Sequence, residues 1–331
     1  MLTFATPRAK LARLCGGTRL RLLAPAAVAV ALLVVTSLVT GGCEGEQRAR
    51  DASVTPSLQT GEVSIRFDVS PQGAGKAPMT SILAFHAVVS GVALRDVLGV
   101  VDPLAASAPE RDCELRDLDL SASALAARGG SIELQELSGI GLALGDADAT
   151  ASTIVRPFPR LFPDVATVVG GVVAESGPLP LATLPERVGL LVPTSELPIA
   201  ELAVPAAPRI LSVNGAPLAS GAKLEARDGL GLVITVAGGA GTIVELRPFG
   251  ATAAISCAVP AGAGGESTLV VPAALVARLL VAVNPAQPLG NASAVPASLD
   301  VLSRARVQVA PAISNHLSIE VRASTAVELR P

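Results

Sequence analysis

Few side chains in this sequence can do covalent or acid–base chemistry. Four Cys and two His stand in 331 residues, with no Trp and no Tyr. Cys113 and Cys257 are the two thiols in the body of the chain, each within a strand-like segment. An even pair suits a disulfide in an oxidising compartment. The competing reading is two buried, reduced thiols acting as small hydrophobes. His86 lies in Ile82–Val89, an apolar run where a structural histidine is expected. His316 follows Asn315 and reads as a surface turn residue. No Gly-x-Ser-x-Gly elbow accompanies either, so a serine hydrolase has no support. The sequence therefore predicts no catalytic residue, no metal ligand set and no cofactor.

Several segments imitate sites and fail on chemistry. Gly73-Ala74-Gly75-Lys76 looks like a phosphate loop, but Ser70 replaces its first Gly and Ala77 the magnesium-binding hydroxyl. It reads as a hairpin loop. Gly139-Ile140-Gly141 and Gly229-Leu230-Gly231 lack the following helix of a dinucleotide fingerprint and read as packing relief or bulges. Asp146 and Asp148 occupy positions 1 and 3 of a calcium loop, but Ala151 and Pro157 replace its Gly and final Glu. A solvated turn is expected there. The mixed charges of 110–119 predict an exposed strand face. Asn291-Ala292-Ser293 fits a glycosylation sequon by composition alone.

A further candidate is Cys43. Arg8, Lys10, Arg13, Arg19 and Arg21 are the only charges before Glu44, and Leu22–Thr40 is an uncharged run of nineteen residues. A basic segment followed by an apolar one is the layout of an export signal. The run ends in Val39-Thr40-Gly41-Gly42-Cys43, which resembles the lipobox of a bacterial lipoprotein signal. That resemblance implies diacylglyceryl attachment to the Cys43 thiol and removal of residues 1–42, with Gly41 and Gly42 as the small residues before the cut. Two other readings of the run stay open. It is long enough to cross a bilayer as an uncleaved anchor, or an ordinary secretory cleavage could release a soluble protein. All three place the body of the chain outside the cytoplasm, in agreement with the positive-inside rule. A bacterial cell envelope location follows, with the outer membrane favoured.

Composition narrows the partners. Half the residues are apolar and 16% charged, enough to build a core. Without residues 1–42 the chain keeps 20 basic residues against 28 acidic ones, a net charge of −8. No dense basic segment remains, so nucleic acid is excluded as a partner. The membrane, through the lipid, and other envelope proteins are the partners expected.

The elements that must position these residues are strands. Residues 43–60 are polar and aperiodic, a tether. Beyond them apolar and polar residues alternate with period 2, most clearly in Glu62–Val69. Further strands are expected near 82–94, 113–120, 131–136, 140–144, 151–156, 165–174 and 187–192. Phe158–Pro163 reads as a Pro-rich gap between strands. The Pro-rich stretch 197–208 reads as a boundary between a β-rich domain, 61–205, and a second domain, 206–331. In the second domain, strands are expected at Arg209–Val213, Leu230–Val236, Thr242–Leu246, 252–258, 267–271, 299–309 and 316–329. Gly238–Gly241 reads as a hairpin, and only Pro272–Leu279 as helical. The segments PRILSVNGAPL and ISCAVPAGAGGESTLVVPAALVARL resemble immunoglobulin-like or fibronectin-type-III-like modules of exported bacterial proteins. That resemblance implies a β-sandwich for 206–331.

The fold class expected is mainly β, with two β-sandwich-like domains after a cleaved lipoprotein signal. The function expected is membrane-anchored binding or structural scaffolding, not catalysis. The alternatives are an envelope hydrolase with a site assembled by the fold, or a small-ligand carrier.

Overall fold

The computed structural model describes residues 58–70, 76–92, 94–102, 109, 112–118, 129–135, 137, 139–145, 153–165, 169–192, 198–226, 231–239, 241–260, 265–283, 294–310 and 315–330. Alternation of apolar and polar residues drives most of them into strands. In chain order these are β1 (Leu58–Val69), β2 (Met79–Ser90), α1 (Leu94–Val101), β3 (Cys113–Asp117), β4 (Ser131–Gln135), β5 (Gly141–Gly145), β6 (Thr153–Val155) and β7 (Phe158–Val165). There follow β8 (Val169–Pro180), β9 (Arg187–Leu191), β10 (Ala200–Ala203), β11 (Arg209–Val213), β12 (Ala216–Pro217), β13 (Ala222–Glu225) and β14 (Leu232–Ala237). The chain ends with β15 (Thr242–Pro248), β16 (Ala253–Ala258), β17 (Glu266–Val271), α2 (Ala273–Val283), β18 (Val295–Ala310) and β19 (Asn315–Arg330). The fold is mainly β, with sandwich-like sheets.

One long sheet runs β3-β16-β15-β18-β19-β1-β2-β4-β8-β7, with β13 paired to β19. Two four-stranded sheets accompany it, β10-β9-β5-β6 and β12-β11-β14-β17. Strands from both sides of residues 197–208 share the long sheet. The join is a parallel ladder from Gly61 opposite Asn315 to Val69 opposite Ala323. Strand β1 starts at Leu58, so the last residues of the expected tether are already strand.

Both small sheets cover the same face of the long one. Val63, Ile65 and Phe67 of β1 and Leu317, Ile319 and Val321 of β19 point to that face, by strand alternation. They pack with Leu142, Leu144, Val155, Val188 and Leu190 of the β10-β9-β5-β6 sheet. Further along, Val244, Leu246, Ile255, Leu299 and Val301 pack with Leu232, Ile234, Val236 and Leu269, and with Val276, Leu279 and Leu280 of α2. Fully burying each such side chain contributes about 1.5–3 kcal/mol. On the opposite face, α1 lays Val97 and Val101 over Phe85, Ile132, Leu134 and Val173.

Four local expectations need correction. The strand expected at 82–94 ends at Ser90, and Leu94, its expected last residue, instead opens a helix over 94–101. Its Val97 and Val101 lie one turn apart, and burial outweighs the weak helix preference of Val. Phe158–Pro163 belongs to a strand, β7, whose two prolines are tolerated because it is the outermost strand of the long sheet. The Gly238–Gly241 connection is not a hairpin. Strand β14 pairs with β11 and β17 while β15 pairs with β16 and β18, so the chain there passes from one sheet to another. Gly241, at φ 80°, gives the bend. Finally, the 112–118 segment is no exposed face: Cys113 to Arg116 are half-buried. Among the described residues, no helix is long and apolar enough to cross a membrane.

Candidate functional site

The face of β1 that points away from the two small sheets carries Ser64 and Arg66, and the register brings charged partners to it. Arg66 stands opposite Glu320 on β19, and Glu320 shares its face with Arg322 two residues on. Arg66 Nη2 donates to Asp102 Oδ2 at 2.7 Å, just beyond α1, and Arg66 Nε donates to Glu320 Oε1 at 3.3 Å. Arg322 Nη2 lies 2.9 Å from Glu320 Oε1, and Arg322 Nη1 lies 3.7 Å from Asp300 Oδ2 on β18. Glu245 of β15, opposite Asp300, has a fully buried side chain. It pairs with Arg247 and, at 3.6 Å, with Arg116 of β3. Arginines and carboxylates thus share one face over five strands, with the two carboxylates Asp300 and Glu245 side by side. Glu62 Oε2 accepts from Arg306 at 2.7 Å on the same face.

Burial acts on Asp300 and Arg322 in this row. It raises the Asp300 carboxyl above its ordinary range, against the opposing pull of Arg322. Desolvation pulls Arg322 the other way, but Glu320 and Asp300 outweigh it and hold the guanidinium charged.

A cleft of about 370 Å³ opens beside this row, between the end of α1 and β7. Arg66, Asp102, Arg160, Glu175, Ser64 and Ser81 line it. Arg160 pairs with Glu175 on its outer side. Ser176 Oγ is buried at its wall with no hydrogen-bond partner among the described residues. The size falls in the range of small-molecule sites, and the lining offers matched donors and acceptors.

The sequence candidates lie elsewhere. Cys113 and Cys257 stand opposite each other on β3 and β16, and their Sγ atoms are joined at 2.07 Å in a disulfide. Cys113 lines a second cavity, of about 380 Å³, while Cys257 is fully buried. His86 sits half-buried on the face of β2 opposite to the cleft, against Gly61 and Gln135. His316 is a half-buried strand residue of β19, not a turn residue, paired with Glu62 and Gln308. Lys76 is exposed in the connection between the antiparallel β1 and β2. Gly231, at φ 81°, lies against the backbone of Val271, where an added Cβ would stand 1.9 Å from a carbonyl oxygen. Cys43, Asp146, Asp148 and Asn291 fall outside the described residues. Among the described residues no cluster of His, Cys, Asp and Glu is placed to hold a metal ion.

No protein-family model matches the chain, and no curated protein matches it. Among solved structures it is similar to the yeast delta-COP-I mu-homology domain complexed with Dsl1 WxWxV peptide. There the TM-score is 0.23 and the identity 9%, over 84% of this chain and 100% of that one. The same yeast domain without the peptide gives 0.21 and 8%, with the same coverage. Neither likeness bears on function.

Proposed function

We propose that this chain is a lipid-anchored, extracytoplasmic binding protein of the bacterial cell envelope. The observation that carries the reading is the order of segments before the β-rich body: basic residues, an uncharged run, Gly41-Gly42-Cys43, then a polar stretch up to β1. The Cys113–Cys257 bond supports an oxidising compartment. The cleft beside Arg66 supports binding of a small polar molecule, one with both donors and acceptors to meet paired Arg and carboxylate groups. In this reading Cys43 does the attaching, and the sheet fixes the cleft walls.

The test is Cys43→Ala in the full chain, expressed in a bacterium that processes lipoproteins. The variant is expected to leave the detergent phase or to accumulate as uncleaved precursor. Processing and partitioning identical to the parent would defeat the reading.

A further inference from the structure

We propose that the cleft beside Arg66 takes an uncharged polyhydroxylated molecule, a neutral sugar or sugar alcohol. The proposal rests on the reading of that cleft as a binding site and names the class of its ligand.

The sheet register lays out the floor. Ser64 on β1 stands opposite Leu83 on β2, and Leu83 stands opposite Glu175 on β8. In the next row Arg66 stands opposite Ser81. Directly opposed side chains share a face and lie about 5 Å apart. A hydroxyl, an apolar side chain and a carboxylate therefore follow one another over about 10 Å. Asp102, just beyond α1, and Arg160 of β7 stand at the sides, and Val101 adds a second apolar surface.

Charge balance narrows the ligand. Arg66 is held by Asp102 and Glu320, and Arg160 by Glu175. Within the lining, the two guanidinium groups and the carboxylates of Asp102 and Glu175 cancel. An anion would have to displace one of these carboxylates and then lie beside it, and a cation would meet the same conflict with the guanidinium groups. A zwitterion would exchange two existing ion pairs for two new ones, with none gained. Hydroxyls break nothing. A guanidinium has five N–H donors and a carboxylate about four acceptor positions, so one ion pair exhausts neither. A ligand hydroxyl, donor and acceptor at once, can meet both.

Shape agrees with charge. A sugar ring carries hydroxyls at its rim and C–H groups on its faces. Leu83 and Val101 can meet a C–H face, while Ser64, Ser81, Arg66 and Glu175 surround Leu83 to meet the rim. The chain has no Trp and no Tyr, so the platform is aliphatic. A volume of about 370 Å³ lies near the small end of ligand sites, about 300–1,000 Å³, which favours one small molecule over a long glycan.

Saturation-transfer NMR on the full processed chain, held in a detergent without a sugar headgroup, reads the ligand class. The probes are glucose, galactose and sorbitol, the anion glucuronate, the cation glucosamine and the zwitterion alanine. At least one neutral probe is expected to receive saturation from the protein, with glucuronate and glucosamine weaker by about tenfold or more. Ser81→Leu fills the floor and is expected to abolish the transfer. Glu175→Gln alters a side chain 36% exposed and leaves Arg160 without its carboxylate, so glucuronate is expected to gain severalfold against the neutral probes. This second variant decides the matter if Ser81→Leu does not fold, and no gain by glucuronate overturns the proposal. If a charged probe or alanine binds more tightly than the neutral ones and Ser81→Leu abolishes it, the ligand class is overturned while the cleft stands as a binding site. If no probe binds, or the neutral probes bind folded Ser81→Leu as they bind the parent, the proposal and the reading of the cleft fall together.

Discussion

Glu245 and Asp300 are carboxylates held at 0% and 4% side-chain exposure inside a sheet, which is tolerable only with charge partners at hand. The register supplies them, and Asp300 shows what the arrangement costs. Burial lifts its pKa, so the folded protein holds that proton more tightly than the unfolded chain does. The stability this adds is complete below the ordinary carboxylate pKa and is lost as pH rises through the raised folded-state value. Asp300→Asn removes the titration while keeping the shape. Urea unfolding across the acid range should therefore show a flatter pH dependence than the parent, with the parent losing stability relative to the variant toward neutral pH. Equal slopes would mean Asp300 is not the group responsible. None of this row is legible as a site in the sequence. Its only trace is a lone charge inside an apolar run, as in Val244-Glu245-Leu246 and Leu299-Asp300-Val301. Such a residue announces a buried partner without naming it, because the partners lie on strands far away in the chain.

Elements are most legible where alternation is strict. Residues 62–69, 187–192 and 316–329 are expected as strands and the structure makes them so, with 192 just past the end of β9, because a half-buried strand writes period 2 directly into the sequence. Helix α1 escapes such a reading because its eight residues include three Val, and two turns are too short for a helical period to stand out. Strand β7 escapes it because its prolines signal a break unless the strand is known to be outermost. Strand β3 is also outermost, at the other end of the sheet, and there the disulfide takes the place of a second neighbouring strand. The bond closes a separation of 144 residues. A cross-link of that span stabilises by up to about 5 kcal/mol in the chain-entropy model, with measured values commonly about 2–4 kcal/mol. Replacing both Cys113 and Cys257 by Ser should lower unfolding free energy by that amount. Dithiothreitol should destabilise the parent to the same level and leave the double variant unchanged. A parent indifferent to reductant would show that β3 is held by its ladder alone.

At the scale of the molecule, the pairing of β1 with β19 joins the beginning and the end of the described chain. The sequence offers a Pro-rich boundary at 197–208 and a sandwich on either side, and each small sheet does cover one stretch of the long sheet. Composition cannot show that β19 is shared, because a parallel ladder between residues 61–69 and 315–323 leaves no local signature. The consequence can be measured on a fragment of residues 206–331. That fragment lacks β1 along one side of β19, and it lacks β3 on β16. Leu317, Ile319 and Val321, all at 0% exposure in the whole chain, lose the β1, β2 and small-sheet side chains that cover them. Exposing three such side chains forfeits about 5–9 kcal/mol, comparable to the whole stability of a typical domain, about 5–15 kcal/mol. The open side of β19 would also present a long apolar template for association. The fragment is therefore expected to unfold without cooperativity or to self-associate, while the chain from residue 43 onward unfolds in one transition followed by circular dichroism. A monomeric fragment with a cooperative transition of its own would show that the α2 side of the core suffices. Residues 206–331 would then be a domain that lends β19 to its neighbour.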